Sequence, residues 1–266
     1  MGDCLPHSWS TMNLEKIKTG VKWKDLVELT PREKLIENTL CFPWLIASLL
    51  LAYNEYYLLA LPFSGMYFLT SLRQSHNGYH NALGISKFWT RCTLYFNSTF
   101  MLASLHAIKH NHMKHHKEAL SHEDYERSVA DMKWWRALIH GPFHWMYMHG
   151  VALKEAGRKE VIHVLFELLL VISLVTLSFS VAIHFLIYHI LFMVLAESLL
   201  PFFTVWMVHR GCDEHKLAHV QRNKIVNFLT MNMMLHLEHH LFPAVPAIKL
   251  GILADRIDDF EVNHDS

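Results

Sequence analysis

Residues 161–208 read VIHVLFELLLVISLVTLSFSVAIHFLIYHILFMVLAESLLPFFTVWMV, without one lysine or arginine. A helix needs roughly 20 apolar residues to cross a bilayer. This stretch therefore holds two crossings, with a soft break near Ser178-Phe179-Ser180. A second apolar stretch, residues 40–72, is interrupted at Asn54-Glu55. Its halves are short, roughly 16 residues each, so two crossings there need short spans or a locally thin bilayer. Both stretches read as membrane hairpins. The competing reading is a pair of buried hairpins inside a soluble bundle.

Charge orients the hairpins. The 266-residue chain balances 24 Lys and Arg against 24 Asp and Glu, and zero net charge argues against a nucleic acid partner. Every Lys and Arg lies within residues 1–39, 73–159 or 210–266. Two hairpins put all three segments on one side, which the positive-inside rule makes cytoplasmic. The turns near Asn54 and Ser178 then face the other way. Cys4, Cys41, Cys92 and Cys212 have no close pairing and read as free thiols in a reducing compartment. No apolar run follows a short basic segment at the N-terminus, so no cleaved signal peptide is expected. Between the hairpins, residues 88–110 read as one amphipathic helix lying along the membrane surface. Trp134, Trp135, Trp145 and Tyr147 come next, a composition of the membrane–water boundary. Gly141-Pro142 is expected to break that stretch.

Three histidine clusters lie in the cytoplasmic segments: His76 and His80; His112, His115 and His116; His236, His239 and His240. On a helix, residues at i, i+3 and i+4 share a face, so each cluster presents a stripe of imidazoles. Eight imidazoles exceed the four ligands of one tetrahedral zinc and suit two metal ions held close together. Imidazole serves iron, copper, nickel and zinc alike, so ligand type leaves the metal open. The histidine pattern and the charge pattern agree on one face of the membrane, though neither forces the other.

The order HxxxH, HxxHH, HxxHH around two hydrophobic hairpins resembles the membrane fatty acid desaturase and hydroxylase superfamily. The resemblance spans roughly residues 40–250. Its most specific string, His236-Leu-Glu-His-His-Leu-Phe-Pro243 with Pro246 nearby, resembles acyl-lipid desaturases. Two departures stand out. Asn77 occupies a position where many family members carry Asp. His110 adds a histidine to the second cluster; the register His112, His115, His116 keeps the i, i+3, i+4 stripe and leaves His110 beside it. Family members often carry one more histidine after the last span, and His209 fits that place; the other reading is a solvated interfacial ring. Asn232, one helical turn before His236, either supports a ligand or is a helix-surface amide. Asp124 and Glu238 are the nearest carboxylates that could hold ligand imidazoles in one tautomer.

The resemblance implies an all-α integral membrane protein, with four transmembrane helices as two hairpins and a cytoplasmic helical cap holding the metal site. Residues 1–39 and 251–266 flank a membrane domain over 40–250. It implies two non-haem irons and no catalytic residue apart from their ligands. The reaction would use dioxygen and two electrons to desaturate an acyl or similar aliphatic chain, with the spans forming the substrate tunnel in membrane lipid. Hydroxylases and ketolases of carotenoids, alkanes or specialised metabolites share the plan. A zinc-dependent membrane hydrolase is the rival from another class and needs only three or four of these ligands. A metal transporter would place its ligands near the bilayer midplane. A ferritin-like diiron protein would need two ExxH motifs, and Glu160 to His163 supplies only one. With no haem-binding region, dinucleotide fingerprint or thiolate iron site, the electrons are expected from a ferredoxin, rubredoxin or cytochrome b5 docking on the basic face. Among the other histidines, His140, His144 and His149 read as interfacial. His163, His184 and His189 read as hydrogen-bonding across helices. Glu197 inside a span is a functional candidate, paired with His189 or with a polar substrate group.

Overall fold

The computed structural model describes residues 14–213 and 216–264, and every regular element among them is a helix. The order opens with α1 (Leu14–Gly20) and α2 (Pro31–Thr39). Thr30 starts α2 through a capping box, its hydroxyl accepting from Glu33 N–H while the Glu33 carboxylate accepts from Thr30 N–H at 2.7 Å. Pro31 suits the first helical position, where its missing N–H costs nothing. α2 runs into α3 (Cys41–Tyr53), making one rod over Pro31–Tyr53. The chain reverses at Asn54-Glu55, where Glu55 takes φ 64°. It returns as α4 (Tyr57–Tyr79), 23 residues or about 35 Å at 1.5 Å per residue. Buried Ser48 and Ser64 hydroxyls join the two helices at 2.7 Å. The helices are longer than the apolar stretch, because α2 extends one and the polar run Arg73, Gln74, His76 and Asn77 extends the other.

The single surface helix expected across residues 88–110 is two helices, α5 (Lys87–Met101) and α6 (Leu105–Glu118). Leu102 ends α5 in the left-handed region at φ 63°, and Ser104 starts α6 by accepting from Ala107 N–H at 3.2 Å. Stop and start signals thus lie close together inside one amphipathic run. Next come α7 (Arg127–Ala130) and α8 (Trp134–Glu155), then the hairpin of α9 (Arg158–Ser180) and α10 (His184–Pro201). Gly141-Pro142 does not break α8. Pro142 forgoes one helical bond, while Gly141 lies so close to α10 that a Cβ there would be 1.7 Å from the Ser198 carbonyl oxygen. The dipeptide marks a close crossing of α8 and α10, which the sequence rule for breakers does not see.

A five-residue π-helical stretch, Phe202–Trp206, leads into α11 (Met207–His209). Such a widened turn re-aims the side chains beyond it, here His209. α12 (Lys224–Leu229), α13 (His236–Leu241) and α14 (Leu250–His264) complete the chain. Among the described residues, three helical rods are long and apolar enough to cross a membrane: Pro31–Tyr53, Arg158–Ser180 and His184–His209. α4 has the length, but its polar second half keeps it outside that set. Ile17 and Val21 near α1, Leu237 and Leu241 of α13, and Leu253 and Ile257 of α14 share one buried cluster. α13 thus turns its leucines into that core and its histidines the other way. Cys41, Cys92 and Cys212 are free thiols; Cys4 lies outside the described residues.

Candidate metal centre

Four elements deliver nine imidazoles to one place. α4 carries His76 and is capped at its C-terminus by His80; α6 carries His112, His115 and His116; α11 ends on His209; α13 carries His236, His239 and His240. They form two groups. His76, His80, His112 and His239 make one; His115, His209, His236 and His240 make the other. His116 belongs to neither set of four and bridges toward the first, its Nε2 lying 3.1 Å from His112 Nε2 and 2.8 Å from His239 Nε2. α6 serves both groups because neighbouring residues 115 and 116 point to different sides of its inward stripe.

In the second group the Nε2 atoms close a ring. The distances are 3.2 Å from His115 to His209, 2.9 Å from His209 to His236, 3.1 Å from His236 to His240 and 3.1 Å from His240 to His115. Half the diagonal of a square with such edges is about 2.2 Å, close to the 2.0–2.1 Å of an imidazole–zinc bond. The tautomers suit the same purpose. His115 Nδ1 lies 2.7 Å from Asp124 Oδ2, and His209 Nδ1 lies 2.7 Å from the Leu217 carbonyl. An imidazole that donates through Nδ1 leaves a lone pair on Nε2. A cation among those lone pairs turns mutual repulsion into bonds, so the donor set fits a metal.

Electrostatics agree. Burial, with the neighbouring imidazoles, holds His112, His236, His239 and His240 well below the ordinary histidine value. Burial pushes His116 down to about 2. Neutral imidazole is the form that binds metal. His115 moves the other way: burial opposes its charge, but Glu126 and Asp124 outweigh it. Burial raises Asp124, and the hydrogen bond from His115 with those of the Leu120 and Glu126 backbones more than reverses this.

Three expected supporting residues stand elsewhere. His110 faces Glu160 at 3.5 Å, not the clusters. Asn232 donates to the Ala247 carbonyl at 3.0 Å; it is no helical turn before His236, because Met231 and Asn232 both take positive φ. Glu238 is fully buried but turns to Arg222 at 2.6 Å, and Arg222 also grips Asp258 of α14. Asn77 follows His76 on α4 and is buried. Its amide donates to Glu37 at 2.8 Å and accepts from Ala247 N–H at 3.0 Å, while Glu37 pairs with Arg73.

An apolar cavity of about 510 Å³ opens beside the histidines, with His76, His112 and His236 in its wall. Phe68, Leu72, Phe192 and Leu195 line its remainder. Glu197 lines it too and does not pair with His189, whose Nε2 bonds the Phe100 carbonyl at 2.8 Å. His144 and His149 are buried, not interfacial: His144 lines the cavity, and His149 accepts from Ser104 N–H at 2.9 Å. His163 does bond across helices, to Tyr95 at 2.5 Å. Tyr79, Asn111 and Glu126 also face the cavity. No spacing rule in the sequence marks them, since only the packed helices bring them to one wall. The sequence model of the family described as fatty acid desaturase matches residues 40–265. No curated protein and no solved structure matches the chain.

Proposed function

Given that the chain belongs to the fatty acid desaturase family, we propose that it is a membrane-bound diiron oxidase that desaturates an acyl or similar aliphatic chain. The observation that carries this reading is the pair of histidine groups at the wall of an apolar cavity. His76, His80, His112, His116 and His239 would hold one iron, and His115, His209, His236 and His240 the other. When bound, iron supplies the redox chemistry that couples dioxygen and two external electrons to removal of two hydrogens, which side-chain acid–base chemistry does not reach.

The protein's own part is placement and shielding. Asp124 and the Leu217 carbonyl keep Nε2 of His115 and His209 free to bind. Arg222 ties Glu238 and Asp258 together and fixes α13 from its far side. The apolar wall aligns a chain past the histidines and keeps water from the reacting carbon. On this reading α3–α4 and α9–α10 are two spanning hairpins, the domain covers residues 40–250, and residues 1–39 and 251–266 flank it. Termini and metal site lie in the cytoplasm, as the basic segments direct. A ferredoxin, rubredoxin or cytochrome b5 delivers the electrons at that face.

The test is metal analysis of detergent-purified protein, then turnover with dioxygen and a reduced donor. Two irons per chain, one for each histidine group, and an alkene product are expected. One zinc with no iron, even after iron-supplemented growth, would sink the oxidase reading.

A further inference from the structure

The short helix α12 buries none of its residues, although it carries Ile225, Phe228 and Leu229. Ile225 is 70% exposed, Phe228 74% and Leu229 61%. At i, i+3 and i+4 they share one face. The helix is closed at both ends. Asn223 Oδ1 accepts from Ile225 N–H at 2.9 Å and from Val226 N–H at 3.2 Å. The Thr230 hydroxyl donates to the Val226 carbonyl at 2.8 Å, and Asn232 N–H to the Asn227 carbonyl at 2.7 Å. On the opposite face the Asn227 amide donates to the Gln221 carbonyl at 3.3 Å. A polar side is thus tied back to the chain, and an apolar side is turned outward.

The position of α12 names the medium that covers this face. Thr230, Met233 and Met234, which follow it, line the apolar cavity together with Thr204 and Val208. Thr204 and Val208 lie in the last turns of the rod His184–His209, long and apolar enough to cross a membrane. α12 therefore leaves the cavity wall at the level where that rod meets the bilayer boundary. Lys224 is exposed beside the apolar face. A lysine there lays its stem along acyl chains and reaches the lipid phosphates with its ammonium. Two other occupants fit worse. A stable protein interface engages about 20–30 residues a side, and three side chains on a six-residue helix fall far short of that. An acidic electron donor seeks cations, and this face is apolar with one lysine at its edge.

We propose that α12 is a membrane-inserted lip of the cavity: Ile225, Phe228 and Leu229 lie among the acyl chains of the adjoining leaflet, and the segment from Thr230 to His236 hangs from them as cavity wall. Met231 and Asn232, both at positive φ, make the bend between the inserted helix and that wall. A helix lying in the interfacial plane seats its apolar face about 5–10 Å into the headgroup–acyl boundary. The proposal needs only that the chain is a membrane protein; neither iron nor the oxidase reading enters it.

The experiment places nitroxide labels on the full-length chain in nanodiscs of phosphatidylcholine and phosphatidylglycerol. Cys4, Cys41, Cys92 and Cys212 are first changed to Ala. Ile225→Cys, Phe228→Cys and Leu229→Cys are then labelled singly. Leu169→Cys, at a position 58% exposed in the middle of α9, serves as the lipid reference, and Asp255→Cys, exposed on α14, as the water reference. Collision with oxygen, which concentrates in lipid, and with a water-soluble nickel chelate, which does not, reads the surroundings of each label. The three α12 labels are expected to meet oxygen and not nickel, about 5–10 Å below the phosphates and shallower than the label at position 169. Nickel contact at all three would put the face in water. Shielding from both reagents would put it against protein, a second copy or a partner. Either result overturns the proposal. Should the cysteine-free background fail to fold, benzoylphenylalanine in place of Phe228 in the otherwise unchanged chain replaces the labels: photocrosslinking to nanodisc lipid is expected, and its absence overturns the proposal. No turnover is needed, so a protein that oxidises nothing but carries α12 in lipid overturns the oxidase reading and upholds this one.

Discussion

Asp124 decides which nitrogen His115 offers to the site. Its Oδ2 also accepts from Leu120 N–H, and its Oδ1 from Glu126 N–H, each at 3.0 Å, so the carboxylate is itself held still. Asp124→Asn keeps the shape and removes the charge. Loss of a carboxylate behind a metal-bound histidine typically costs 10–100-fold in metal affinity, and a chelator competition should show a fall of that size with helix content unchanged. Undiminished affinity would assign Asp124 to holding its loop alone. Asn77 makes a sharper case, because many relatives of the resembled family place Asp there. Here the amide donates to Glu37 and accepts from the Ala247 backbone. Asn77→Asp removes the donor and sets a second carboxyl against Glu37, a loss of about 1–3 kcal/mol. The expected readout is a lower melting temperature; an unchanged one would mean that Glu37 and Arg73 rearrange freely. Glu238 shows how far spacing alone reaches. Two residues after His236 on a helix, it points away from that ring, toward Arg222.

Elements are legible in proportion to how local their signals are. The first hairpin turn at Asn54 and the histidine stripes fall where local signals put them, while the second turn comes after the expected Ser178-Phe179-Ser180, between the end of α9 at Ser180 and the start of α10 at His184. The break at Leu102 is hidden because a left-handed leucine carries no sequence signature. Gly141-Pro142 misleads because its meaning lies in α10, far along the chain. That explanation makes a paired prediction on α8. Gly141→Ala drives a methyl into the Ser198 carbonyl, a rigid backbone atom, and must part α8 from α10. A loss of about 2 kcal/mol or more, or failure to accumulate, is expected. Gly150 sits on the same helix with nothing within 4 Å of its would-be Cβ, so Gly150→Ala gains about 0.5–1 kcal/mol from helix propensity. Melting curves of the two variants check this; equal effects would reject the close crossing as the role of Gly141.

At the scale of the molecule, the cluster exists only because four separate elements converge, and this convergence has a cost that a bound metal would offset. Nine imidazoles are visible in the sequence, but not their division into two groups, because α6 feeds both and only tertiary packing says which ring goes where. Packed together without metal, these rings resist protonation. His112, His116, His236, His239 and His240 are all lowered by burial and by one another, while in the unfolded chain each titrates near 6.5. Below that pH the unfolded chain takes up protons that the folded site refuses. Stability is therefore complete above about pH 6.5 and falls with acid until the folded values are reached, which for His116 is about 2. His115 works in the opposite sense, being raised, but it is one ring against five. Each lowered histidine costs about 1 kcal/mol by pH 5.5, so together they consume much of a domain's typical stability of about 5–15 kcal/mol. Metal-free protein should lose its melting transition between about pH 7.5 and 5.5, whereas iron-loaded protein should hold until protons displace the metal. Melting with and without chelator across that range measures it. A metal-free melting temperature that stays flat would mean the rings are hydrated or apart, and the converged centre would have to be abandoned.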